Sequence, residues 1–141
     1  MTISEKEQEI IDEFADIEEW FDRYAYIIDL GAAMPPIDEK LKTPDKLIEG
    51  CQSSVWLNAS LTPEGKVHFE ADSNTSIVKG IIAMLVDVLS DHTPQEILDA
   101  DLHFIDEIGL SEHLSPTRSN GLRAMVKQMK LYALAFRQLQ K

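Results

Sequence analysis

Residues 54–70 read SVWLNASLTPEGKVHFE, and this stretch decides the fold. Its two ends, Ser54 to Ala59 and Val67 to Glu70, are short runs of strand-forming character. They flank Thr62-Pro63-Glu64-Gly65-Lys66, in which proline fixes one backbone angle and glycine permits another, as a hairpin connection needs. The segment therefore reads as two antiparallel strands. A further short strand over Lys46 to Glu49 would complete a three-stranded sheet.

Outward from the hairpin the period becomes helical. Downstream, Ile77, Ile81, Ala83 or Met84, Leu85, Val88 and Leu89 recur at helical spacing behind Asn74 or Thr75 as the cap. This helix is apolar on more than one face, which marks it as central and buried. Thr93-Pro94 opens a short helix from Gln95 to Ala100, and Ser115-Pro116 opens the last one, which runs to about Gln140. Upstream, a first helix carries Ile10, Ile11, Phe14 and Ile17, with Ser4 as N-cap and Glu7 as its capping-box partner. A second helix carries Trp20, Phe21, Tyr24, Ile27 and Ile28, an aromatic stripe read as core, and ends at Gly31 before Pro35-Pro36. Residues 32–43 read as a surface connector. The order of helices, small sheet and helices predicts an α+β domain with a two- or three-stranded antiparallel sheet.

The 141 residues include 13 Lys and Arg against 25 Asp and Glu, a formal charge of −12. That balance repels phosphate backbones and anionic lipid, so no nucleic acid and no membrane partner is expected. Residues 1–50 hold fourteen acids and five bases and residues 51–110 ten and two, whereas residues 111–141 hold one and six. No apolar run approaches the ~18 residues of a membrane span, and the acidic N-terminus is unlike a secretion signal, so the chain reads as cytoplasmic.

Cys51 is the one cysteine. It has no partner for an internal disulfide, for a Cys-x-x-Cys redox pair or for a thiolate-rich zinc site. Gly50 before it allows a turn that presents the sulfur at the end of the sheet, while burial as an inert core thiol is the other reading. A hydrolytic nucleophile would need a histidine, but His68, His92, His103 and His113 carry no local signature, and their scatter gives no metal-ligand spacing. No metal site is expected. Lys79 and Arg118 are the cations that could favour the thiolate.

Four blocks taken together are specific: Gly50-Cys51-Gln52-Ser53-Ser54-Val55-Trp56, Asp72-Ser73-Asn74 leading to Ile77-Val78-Lys79-Gly80, Thr93-Pro94-Gln95-Glu96-Ile97, and His113-Leu114-Ser115-Pro116-Thr117-Arg118-Ser119-Asn120-Gly121-Leu122. In this order over nearly the whole chain they resemble the SufE/CsdE family of sulfur acceptor proteins. The resemblance implies a SufE/IscU-like fold and a single domain over 1–141. It also implies an accessory sulfurtransferase-type role, not that of a stand-alone enzyme, with no cofactor of its own. The implied partners are a cysteine desulfurase (SufS- or CsdA-like) and an iron–sulfur scaffold (SufBCD-like). Carried over by position, Cys51 is the sulfur acceptor. Gly50, Gln52, Ser53, Asp72, Ser73, Asn74 and Arg118 form the partner-facing surface, and Trp56, Lys79 and Gly80 support it. Asn74 stands where relatives often carry an acid. The alternative is an allosteric activator of a desulfurase that carries no sulfur.

Overall fold

Strand β1 (Val55–Leu61) pairs antiparallel with β2 (Val67–Ser73), with Val55 opposite Ser73 and Leu61 opposite Val67, in a computed structural model that describes residues 1–140. Alternation sorts the side chains: Val55, Leu57, Val67, Phe69 and Ala71 are buried, while Trp56, Asn58, His68 and Glu70 remain partly exposed. The third strand does not form. A 3₁₀ turn over Pro44–Lys46 and the left-handed Gly50 leave only a single bridge, Leu47 to Trp56, with Ile48 donating to the Val55 carbonyl.

The helices are α1 (Ile3–Ala15), α2 (Trp20–Ala33), α3 (Ser76–Leu89), α4 (Pro94–Asp99), α5 (Phe104–Glu107), α6 (Leu110–His113) and α7 (Pro116–Leu139). As its composition predicted, α3 is the core helix, with ten buried residues among its fourteen. It packs on β2 and is covered by α2 and, less extensively, by α1 and α7. Among the described residues no helix is long and apolar enough to cross a membrane.

The proline signals hold: Thr93 and Ser115 cap α4 and α7, each with proline at the start of the helix. The first cap is displaced. Thr2, not Ser4, accepts from the Glu5 amide, and the Glu5 carboxylate accepts from the Thr2 amide, which completes the capping box two residues early. Glu7 is thereby released to another task. It is buried and accepts a hydrogen bond from the Phe104 amide, tying α1 to α5.

Gly31 does not end α2, which continues to Ala33; it is the point where α2 crosses α3 at Gly80. The aromatic stripe is core only in part, since Ile27 is fully buried but Phe21 is 80% exposed. Two one-turn helices, α5 and α6, lie between α4 and α7. Neither is long enough to show a period.

Candidate functional site

Cys51 sits where the chain leaves the incipient third strand for β1. Gly50 turns it with a φ of +91°, a left-handed conformation that glycine adopts without strain. A Cβ on Gly50 would lie 3.3 Å from the Ala124 Cβ, so the turn rests against α7. The Cys51 Sγ lies 3.5 Å from the Gly121 carbonyl oxygen on the same helix and donates to it. The thiol is half-buried, and burial pushes its pKa above the ordinary value. A carbonyl acceptor favours the same protonated form.

Beside the sulfur is a groove of about 450 Å³. Its floor is apolar, with Val78, Ile81 and Met125, and its rim is polar, with Gln52, Ser53, Thr75, Ser115 and Arg118. Arg118 is exposed in the first turn of α7 and forms no salt bridge among the described residues. Gln52 is exposed as well.

The far side of the cysteine loop is fastened to the turn between β2 and α3. The Ser54 carbonyl accepts from Ser73 Oγ (2.8 Å) and the Asn74 amide (3.3 Å), and the Ser54 amide donates to Asn74 Oδ1 (3.2 Å). Thr75 Oγ1 donates to Ser53 Oγ at 2.9 Å. Asn74 acts here through its carbonyl oxygen, which a carboxylate would replace as acceptor.

Asp72 and Ser73 are buried, not displayed. The Asp72 carboxylate binds Lys42 at 2.7 Å and Lys79 at 3.2 Å and accepts from the Ser73 amide. Lys42 also lies 5.4 Å from the centroid of the Trp56 ring, directly across the ladder from Asp72. Lys79 thus serves Asp72. Gly80 serves the α2–α3 crossing, one turn below the loop.

Burial alone would raise the Asp72 pKa, but the Lys42, Ser73 and Lys79 hydrogen bonds outweigh it and hold the carboxyl below the ordinary aspartate value. A depressed folded pKa means that the stabilisation is complete above the unfolded value and is lost as pH falls through the folded one. Asp72→Asn is expected to melt below the parent at neutral pH, with the gap closing as pH drops below about 4. A gap of equal size at pH 7 and pH 3, measured by thermal melting, would assign the effect to hydrogen-bond geometry instead of charge.

No histidine lines the groove. His68 pairs with Asp91, His92 bonds the Met1 carbonyl, His103 lies between Glu7 and Asp101, and His113 packs edge-on against Trp20. Glu7, Asp101 and His103 hold their ligand atoms within 4.8 Å of one another, but they are bonded among themselves at the α1–α5 contact. Sequence reading missed Lys42, Thr75 and the Gly121 carbonyl. Lys42 carries no local signal, and Thr75 carries one only as a helix cap, its bond to Ser53 being made by the folded chain; Gly121 lies inside a recognised block.

Residues 8–133 match the SufE family, described as an Fe-S metabolism associated domain. The fold is similar to the solution structure of a hypothetical protein from Thermus thermophilus, with a TM-score of 0.77 and 20% identity over 94% of this chain and 96% of that one.

Proposed function

The chain belongs to the SufE family, and with it to Fe-S metabolism; from that premise we propose that it is a sulfur acceptor and carrier, acting as one domain over 1–141 in the cytoplasm. Cys51 takes sulfur from a SufS- or CsdA-like cysteine desulfurase, stimulates that enzyme, and passes the sulfur to a SufBCD-like scaffold. The observation that carries this reading is the placing of a lone thiol on a glycine turn, at a groove with an apolar floor and a free arginine, with no second thiol or histidine beside it.

The transfer is an exchange between sulfurs. The Cys51 thiolate attacks the terminal sulfur of the donor's persulfide, one S–S bond forms as another breaks, and the donor's cysteine leaves as its thiolate. No net oxidant or metal enters. Because the resting thiol is held protonated against the Gly121 carbonyl, deprotonation accompanies departure from it. Gly50 is the natural hinge, since Ser53 and Ser54 are fastened to the turn before α3, whereas Cys51 is tied to α7 by its thiol alone. Within the partner-facing set, Gln52, Asn74 and Arg118 are exposed and suited to touch the donor. Asp72 and Ser73 hold the loop in register, backed by Trp56 and Lys79. Gly80 supports from further below, by setting α3.

Mixing the protein with a desulfurase, pyridoxal phosphate and cysteine is expected to raise its intact mass by one or more sulfur atoms, all on the peptide containing Cys51. Stimulated turnover without any mass gain would replace the carrier reading with that of a non-carrying activator.

A further inference from the structure

We propose that the corner between α1 and α2, with Phe21 at its tip, is a second contact for the sulfur-donating partner, and that Phe21 enters an apolar pocket on that partner rimmed by lysine and arginine. This rests on the reading above and extends the partner's footprint beyond the cysteine loop.

Phe21 is 80% exposed, more than any other large apolar side chain among the described residues; the next, Leu139 and Met1, lie at the chain ends. A phenyl ring left in water on the first turn of a helix forgoes the gain of burial, so its exposure asks for an occupant. The backbone that presents it is rigidly held. The Arg23 guanidinium donates to the carbonyls of Ile17 (2.6 Å), Phe14 (3.1 Å) and Ile108 (3.0 Å), fastening the α1–α2 corner to α5. Trp20, next to Phe21, is pinned edge-on to His113 at 4.4 Å between ring centroids. A backbone already held in place before binding loses little entropy on docking.

Charge identifies what covers it. Asp16, Glu18, Glu19 and Asp22 surround the corner in sequence, are all exposed, and form no salt bridge among the described residues. Between Lys6 and Lys40 the one cation is Arg23, and it is turned inward. The complement of an aromatic tip in an acidic ring is an apolar pocket in a basic rim.

Position identifies which partner. His113, against which Trp20 packs, lies two residues before Ser115, which caps α7 and lines the Cys51 groove with Arg118. The corner is therefore joined to the rim of the groove through the short link from His113 to Ser115. The acidic corner and the cationic Arg118 also give this face a charge pattern that fixes how a partner of opposite pattern must orient.

The test measures binding to the cysteine desulfurase of the same organism, with the enzyme's active-site cysteine replaced by serine so that no turnover intervenes. Phe21→Ala is expected to weaken binding about tenfold or more, as loss of a central aromatic anchor does, while leaving the melting temperature unchanged. Glu18→Lys with Glu19→Lys is expected to slow association several-fold at low salt. Unchanged affinity for Phe21→Ala, in a protein that still binds and still gains sulfur on Cys51, overturns this inference and leaves the proposed function standing. A parent protein that neither binds nor gains sulfur overturns both. If Phe21→Ala lowers the melting temperature, the charge reversal decides, and an unaltered association rate overturns the proposal. Sedimentation showing that Phe21→Ala disperses a self-associated form would make a second copy the occupant and equally overturn it.

Discussion

Gly80→Ala is expected to destabilise the protein by about 3 kcal/mol or more, a drop of roughly 10 °C in melting temperature for a chain of this size. Intrinsic propensity argues the opposite, since alanine is favoured over glycine inside a helix by about 1 kcal/mol. Close approach decides against it. A Cβ at Gly80 would lie 2.1 Å from the Ile27 carbonyl oxygen and 2.6 Å from its Cγ2, and that carbonyl belongs to the hydrogen-bonded ladder of α2 and has nowhere to move. The two helices would have to separate, opening space through the largest contact between elements in the fold. Gly31→Ala presses on the same crossing, its Cβ 2.6 Å from the Gly80 amide nitrogen. The double variant should therefore cost less than the two single costs combined. Gly121→Ala provides the contrast: its Cβ would meet the Cys51 Sγ at 3.7 Å, an ordinary contact, so it should be neutral or slightly stabilising. Equal melting temperatures for Gly80→Ala and the parent would refute the account of the crossing.

The second large effect concerns chemistry. Cys51→Ser is expected to fold normally, because a hydroxyl can donate to the Gly121 carbonyl as the thiol does and differs little in volume. It should bind a desulfurase yet return that enzyme's turnover to its unstimulated rate, since serine cannot carry sulfane sulfur. The decisive measurement is sulfide or alanine release at saturating variant, beside a binding curve for the same preparation. Loss of both binding and stimulation would show that the thiol contributes to docking; full stimulation by the serine variant would end the carrier hypothesis.

What the sequence by itself determined was whatever is settled within a few residues or by period alone. The Thr62 to Lys66 connection, the proline-led starts of α4 and α7, the apolar circumference of α3 and the turn before Cys51 each follow from local backbone chemistry. The family resemblance rested on the same short blocks, and the matched region confirms it. Tertiary structure decided the rest. Glu7 has the spacing of a capping-box partner but is held by a backbone amide 97 residues away. Lys46 to Glu49 have the composition of a strand but are confined between a 3₁₀ turn and a left-handed glycine. Gly31 looks like a helix stop, and only the approach of α3 shows why no side chain fits there. Asp72 reads as a surface acid until β2 brings it to Lys42 and the start of α3 brings Lys79. Phe21 has the spacing of a core residue, but spacing sets the face of a helix and not where along its length the neighbours end. A cap or a turn closes over three or four residues whose chemistry is written side by side, whereas these groups acquire their roles from partners that only the folded chain brings within reach.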